Sequence, residues 1–401
     1  MKYGVGIDVS KGKSIVAILS QAGEVIELPF EVEHTIEGMQ VLENRLSKLP
    51  KQDLKIVMEE TGTYHLPILG YLLDNDYFVV GENALKIKKY LDRDLRKAKT
   101  DNKDALKIAN YACENWYKLT LSKVQASIYE DLKFLSRQYL NKISIQTTMK
   151  VDFVNLCDLM FPSFNSLLNE NNYILGLEIF KIYYHPTLVL NKNQSEFITE
   201  IDELAKKLGH KSAGKSLAIK IYNLAKNTLS PCPSNKYSQL AATSCVNALI
   251  LIIKTSSSII AEMDRLAREL PEYETVSEMD GVGTKLTSRI IAEIGDIRRF
   301  KNAGSLIATA GIDAPPYQSG QYEAQIRHIS KRGNRYLRKT GFEIMKAIKT
   351  SCKSGVELYD YIVKKEMEGK PKKVAKIAGL NKFLRQYYGI IKKKYKELEI
   401  W

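Results

Sequence analysis

The sequence predicts a mixed α/β domain followed by an all-α remainder, and three observations carry that prediction. Residues 1 to about 120 alternate short β-branched and apolar runs with helical periods, in the order βββαβαβα. From about 120 to 272 the pattern is helical almost throughout, and Ser127 to Met160 contains neither glycine nor proline. The C-terminal end is helical and basic: residues 321–401 hold 21 Lys and Arg against 8 Asp and Glu, an excess of 13 within a net +14.

Lys2 to Lys11 reads as a buried first strand with an acid, Asp8, towards its end. A tight turn at Lys11-Gly12-Lys13 opens a second strand through Ile18. After Gln21-Ala22-Gly23 a third strand, Glu24 to Val32, alternates in part, as an outer antiparallel strand does. Thr35 to Ser47 has helical spacing through Met39, Leu42 and Leu46. Leu54 to Met58 is a short buried strand that delivers Glu59 and Glu60. A helix from Leu66 to Leu73 and a strand from Tyr77 to Val80 follow. A basic helical stretch, Lys86 to Lys99, leads into another helix running from Thr100-Asp101 through Asp104 to Ala109.

In the middle region two long helices, Ser127 to Met160 and Tyr237 to Leu270, read as antiparallel or intermolecular coiled-coil arms. Smaller helices between them break near Pro186 and Gly209-His210. Further on, Asp280-Gly281-Val282-Gly283 opens a helix from Leu286 to Ile294, a helix–hairpin–helix-like pattern or an ordinary helical corner. The divisions this implies are 1–120, 121–272, 273–350 and a basic helical extension, 351–401.

Composition narrows the function. At 401 residues, with 44% hydrophobic and 26% charged, the chain has the makings of a folded protein of two or three domains. Its five cysteines form no CxxC pair, which argues against a zinc site and for reduced thiols in a cytoplasmic setting. No uninterrupted apolar run reaches the ~18 residues of a membrane span. A positive field concentrated at one end suits a polyphosphate partner, a nucleic acid rather than a membrane.

Four acids at element ends, Asp8, Glu59 or Glu60, Asp101 and Asp104, follow a ribonuclease-H-like order. Carboxylates so placed suit a Mg²⁺ cage, because that ion takes carboxylate and phosphate oxygens. Asp101 and Asp104, three apart, share one helix face, and they equally read as an N-cap and a first-turn acid. In the glycine turn, Gly281 and Gly283 would let a phosphate approach the backbone at a helix N-terminus. Ser319 sits beside a glycine in a loop fixed by Pro315-Pro316, ahead of Arg327, Lys331, Arg332, Arg335 and Arg338. Such guanidinium groups can hold a phosphodiester while a serine attacks phosphorus. His328 is a candidate base for that serine. A turn serine bonded to nearby backbone is the plainer alternative.

Taken together, the pieces resemble the DEDD-type transposases of bacterial insertion sequences, the RNA-guided serine recombinases that use a bridge RNA. The matching residues are Gly6-Ile7-Asp8-Val9-Ser10-Lys11, Glu59-x-Thr61-Gly62-x-Tyr64 and Lys99-Thr100-Asp101-x-x-Asp104-Ala105. In the C-terminal half they are Gly281-Val282-Gly283, Gly295-Asp296-Ile297-x-x-Phe300, Ser319-Gly320 and Ser330-Lys331-Arg332-Gly333-Asn334-x-x-Leu337-Arg338. The resemblance implies a RuvC-like, ribonuclease-H-type N-terminal domain whose Asp8, Glu59, Asp101 and Asp104 bind Mg²⁺. It implies Ser319 as the nucleophile that forms a covalent phosphoserine with donor and target double-stranded DNA. It also implies a structured guide RNA and a homo-oligomer, dimer or tetramer, in which acids of one subunit meet the serine of another. Glu59 rather than Glu60 fits the Glu-x-Thr-Gly spacing. A hydrolytic Mg²⁺-dependent nuclease or junction resolvase is the competing reading, with Ser319 structural. An actin-like kinase shares the Gly-Ile-Asp-Val opening, but neither a second phosphate hairpin nor an adenosine motif follows.

Overall fold

Alternation along the first strand sets the architecture of the N-terminal unit. In β1 (Tyr3–Val9), Val5, Ile7 and Val9 enter one core, leaving Gly4, Gly6 and Asp8 to the other face. The computed structural model describes residues 1–60, 64–92, 100–122, 127–210, 213–315, 318–319, 322–323 and 328–401. At 85, 127, 213, 318, 319, 322 and 323 it describes the backbone alone. The chain divides into two units, Met1–Val124 and Gln125–Trp401.

In the first unit β2 (Lys13–Ser20) pairs antiparallel with β1 and with β3 (Val25–Glu33). After α1 (Ile36–Leu46), β4 (Leu54–Glu59) pairs parallel with β1. Helix α2 (Leu66–Asp74) then leads to β5 (Val79–Glu82), parallel to β4, giving the sheet order β3-β2-β1-β4-β5. Strand β3 is an edge strand, and its Pro29 and three glutamates suit a row without a second partner. Met39, Leu42 and Leu46 of α1 and Ile68 and Leu72 of α2 fill the core beneath Val5 and Ile7. Helices α3 (Ala84–Leu91) and α4 (Asp101–Glu114) follow, and Ile108, Tyr111 and Ala112 of α4 pack with Val57 and Val80.

Two details differ from expectation. The fifth strand begins at Val79 and not at Tyr77, because Tyr77 is buried ahead of it with its hydroxyl donating to Glu43 Oε1 at 3.0 Å. The basic stretch read as helical to Lys99 ends as α3 at Leu91, and its residues 93–99 lie outside the described residues.

The second unit is built on two long helices, α5 (Ser127–Met160) and, after four short ones, α10 (Lys236–Ala267). The short helices are α6 (Tyr173–Ile182), α7 (Pro186–Leu190), α8 (Gln194–Lys207) and α9 (Ala213–Lys226). Tyr129 and Leu132 share a core with Ile260 and Met263, whereas Phe153 and Cys157 share another with Val246 and Leu249. The two arms therefore run antiparallel within one chain, with Ser256 Oγ bonded to Gln146 Oε1 at 3.2 Å midway. Their far ends do not stop as a bare coiled coil. They enclose a second core in which Phe153, Phe164 and Phe180 meet edge-on or tilted, their ring centroids 5.2 Å apart. By length and composition α10 could also cross a membrane, with mean hydropathy 1.6 and 28% of that window buried. Apolar residues near its two ends serve the two cores.

The remaining helices complete the first of these cores: α11 (Tyr273–Ser277), α12 (Thr284–Ile294), α13 (Ala303–Ala310), α14 (Arg335–Ser351), α15 (Glu357–Met367) and α16 (Lys372–Glu397). Between α13 and α14 in sequence comes a short hairpin, β6 (Gln318–Ser319) and β7 (Tyr322–Glu323). Leu380, Phe383, Tyr387 and Tyr388 of the basic last helix are buried in this core. At its edge Tyr129 and Tyr395 both donate to the buried Glu272 carboxylate, at 2.8 and 2.5 Å. Burial pushes the Glu272 carboxyl above the usual range.

Candidate active site

Two of the four predicted acids, Asp8 and Glu59, stand at one end and on one face of the N-terminal sheet, and the other two lie in the first turn of the helix packed on that face. Ile7 of β1 stands opposite Met58 of β4, and one residue further along both parallel strands come Asp8 and Glu59. Ile7 and Met58 point into the core beneath the sheet, so Asp8 and Glu59 belong to the opposite face, with Gly6 and Val57.

Helix α4 lies across that face. A Cβ on Gly4 would fall 2.5 Å from Ala109 O and from Cys113 Sγ, and one on Gly6 would fall 2.2 Å from Ala105 O. Two residues of strand span about 6.6 Å and four of helix about 6.0 Å, so each step along β1 keeps pace with one turn of α4. Continuing the match places Asp8 level with the first turn of α4, which carries Asp101 and Asp104. Asp104 is buried and Asp101 exposed. The cap of this helix is Thr100, whose Oγ1 accepts from Lys103 N at 3.4 Å, so Asp101 is the first helical residue and not the N-cap.

Among the described residues, no three of His, Cys, Asp and Glu stand close enough together to hold a metal ion. In donor type the set suits a hard divalent cation, being carboxylate throughout. A fifth carboxylate that the sequence reading passed over stands beside Glu59. Glu82 pairs in register with Glu59 and is held by the Tyr111 hydroxyl and the Lys86 ammonium. Burial, and then Glu82, push the Tyr111 phenol up. Glu60 turns the other way: its Oε1 would lie 2.9 Å from a Cβ on Gly81, whose strand partner is Met58. Lys13 adds a cation near this rim; its ion pair with Glu31 (2.7 Å) and, more weakly, the charge of Asp101 raise its pKa.

The predicted nucleophile lies on a loop whose neck is tightly built. Ser330 N donates to Asp313 O at 2.8 Å, and Ser330 Oγ donates to Asp313 Oδ1 at 2.5 Å. Lys331 N and Asn334 N then bond to Gly311 O and Thr309 O, at 3.0 and 2.7 Å. Gly311 (φ +64) and Gly333 (φ +104) both adopt left-handed backbone, and a Cβ on either would strike a carbonyl oxygen of the opposite strand of the neck. Within the loop the Ser319 backbone pairs with Tyr322 in the β6–β7 hairpin. The Ser319 side chain, Gly320 and Arg327 lie outside the described residues. His328, Lys331, Arg332 and Arg335 are exposed, and Arg335 donates to the Tyr336 hydroxyl at 2.7 Å. Arg338 is committed elsewhere, its Nη1 donating to Ala310 O at 2.8 Å and so bracing the neck.

The glycine turn divides its labour. Gly281 is left-handed (φ +72) and packs so closely on α14 that a Cβ would fall 2.3 Å from Ile348 Cγ1. Gly283 is the N-cap of α12 with open space beside it, which leaves that helix N-terminus approachable by an anion.

Behind the neck lies a polar hub for which the sequence gives no signal beyond a glutamate in a helix. Glu293 of α12 is 2% exposed. Its carboxylate accepts from Ser136 Oγ at 2.7 Å, from Arg137 at 3.1 and 3.0 Å, and from Asn334 Nδ2 at 2.8 Å. Arg137 stacks on the Tyr336 ring at 3.5 Å.

Comparison with known proteins bears on both halves of the chain. Residues 5–162, which contain Asp8, Glu59, Asp101 and Asp104, match the DEDD family of the IS110 type, described as Transposase. Residues 273–360, which contain the glycine turn and Ser319, match the family described as Transposase IS116/IS110/IS902. The insertion element IS116 uncharacterized 44.8 kDa protein of Streptomyces clavuligerus is 22% identical over 379 residues, covering 91% of this chain and 88% of that protein.

Proposed function

We propose that this chain, which carries transposase domains of the IS110/IS116 type, is the RNA-guided recombinase of an insertion sequence. In this reading it cuts and rejoins donor and target DNA through a phosphoserine at Ser319. The observation that supports the reading is the register of Asp8 beside Glu59 on the face covered by α4, the helix whose first turn carries Asp101 and Asp104, as a ribonuclease-H-type arrangement of acids would require. A divalent cation, Mg²⁺ by donor type, would be held by Asp8, Glu59, Asp101 and Asp104 and would supply positive charge against phosphodiester oxygens.

The chain's own groups have separate tasks. The Ser319 Oγ attacks phosphorus and the P–O3′ bond breaks. The proton lost by the serine is made up on the departing 3′-oxygen, leaving a 3′-hydroxyl. A 3′-hydroxyl of the partner strand later attacks the phosphoserine, restores the serine and closes the new phosphodiester. One phosphodiester is exchanged for another, so no nucleotide hydrolysis is needed. Lys331, Arg332 and Arg335, exposed beside the neck, hold phosphate oxygens. The basic C-terminal end supports a nucleic-acid partner, and the resemblance points to a guide RNA and a dimeric or tetrameric assembly.

The test uses a duplex spanning the joined ends of the element that encodes the chain, together with the RNA that co-purifies with it. A denaturation-resistant protein–DNA adduct is expected, absent in Ser319→Ala, and the sequenced RNA should contain segments complementary to the DNA. Intact cleavage by Ser319→Ala would replace this reading with hydrolysis by the acids alone.

A further inference from the structure

The hub around Glu293 takes no part in the steps above, yet it joins three helices at the base of the serine-bearing loop. On one side it grips the long arm α5 through Ser136 and Arg137. On the other it holds the side-chain amide of Asn334, which donates to the Glu293 carboxylate and to its backbone carbonyl, at 2.8 and 3.2 Å. The rest of Asn334 is also engaged. Its Oδ1 caps α14 by accepting from Tyr336 N and Leu337 N at 2.9 and 3.1 Å, and its own N–H bonds to Thr309 O at the end of α13.

A displacement of α5 therefore acts on one residue that also fixes the start of α14 and one strand of the loop's neck. Burying a carboxylate with a guanidinium is a poor route to stability, since apolar residues of similar size often serve as well. What the arrangement provides is direction: a planar amide between a fixed carboxylate and a fixed helix cap has one geometry.

We propose that Glu293 is a positioning residue. Through the Asn334 amide it passes the placement of arm α5 to the neck between Thr309 and Asn334, and so sets where the Ser319 hairpin meets the phosphodiester. The proposal rests on the serine-nucleophile reading.

The experiment follows adduct formation by the full chain with co-purified RNA and the joined-ends duplex, at saturating DNA and as a function of DNA concentration. Asn334→Ser keeps a capping oxygen and removes the amide donor. Its rate at saturation should fall roughly ten- to hundredfold with the half-saturating DNA concentration unchanged. Asn334→Asp sets carboxylate against carboxylate and should be slower still. The double variant Glu293→Gln/Asn334→Asp exchanges donor and acceptor, keeps the cap, keeps one negative charge within the hub, and should regain most of the lost rate. A wild-type rate for Asn334→Ser, or a change in DNA affinity alone, overturns the proposal. So does a double variant no faster than Asn334→Asp, and that comparison decides the case should Asn334→Ser fail to fold. Ser319→Ala, run alongside, separates the two claims: an adduct that persists there sinks the nucleophile reading. A blank there beside full activity in Asn334→Ser sinks only the positioning role.

Discussion

Replacing Gly6 with alanine tests the placement of the acids through a single methyl group. The added Cβ would lie 2.1 Å from Ala109 N and 2.2 Å from Ala105 O, both backbone atoms of α4. Ordinary contact begins near 3.4 Å, so the helix must retreat by a little over 1 Å, because neither obstacle is a side-chain end that can swing away. Overpacking of this kind costs about 1–3 kcal/mol, and more where backbone must move. The same shift carries Asp101 and Asp104 away from Asp8 by about 1 Å, which is enough to cost about a hundredfold in rate. Gly6→Ala should therefore lower the melting temperature and, at a temperature where the chain is still folded, reduce DNA cleavage about a hundredfold. Gly70→Ala is the matched control: it sits inside α2 with nothing within 4 Å of the added Cβ, and should stabilise by about 0.5–1 kcal/mol. A Gly6→Ala chain that melts and cleaves like the wild type would refute the packing of α4 on β1 and, with it, the grouping of the acids.

The buried Glu272 makes a prediction about pH. Its folded pKa lies above that of the unfolded chain because of burial, so the folded state binds the proton more tightly. Its contribution is full below the usual glutamate range and is lost as pH rises through its own raised value. Glu272→Gln should flatten the melting temperature over that window, and an unchanged slope in the variant would show that another group is responsible. Lys331→Ala and Arg332→Ala should weaken DNA binding evenly across sequences, each reducing the slope of log affinity against log salt by about 0.9. An unchanged slope would remove that side chain from the phosphate contacts.

The sheet was legible because its strands are short apolar runs cut by Gly12 and Gly23, both left-handed turns in the structure. What sequence could not supply was partnership. Gly4 and Gly6 look like ordinary members of a glycine-rich strand until α4 is seen crossing them. Phe153 and Phe180 mark buried helix faces by spacing, but spacing does not say that they bury against Phe164 at the end of two arms. Thr100, adjacent to Asp101, is an equally good cap by residue type, and only the extended backbone at Thr100 separates them. Glu82 and Glu293 were missed for the same reason. An acid in a strand or helix reads as solvated until its partners, Tyr111 and Lys86 or Arg137 and Asn334, arrive from remote parts of the chain.

The antiparallel arms also have a mechanical consequence. From Arg137, gripped at the Glu293 hub, to Met160 at the far end of α5 the helix extends about 35 Å. A tilt of about 5° at the hub sweeps the far end through roughly 3 Å. Read in reverse, a load of a few ångströms on the distal helical core arrives at the hub as a rotation of a few degrees with its force multiplied. The arms are thus geared: large, soft movements outside become small, stiff ones beside the loop.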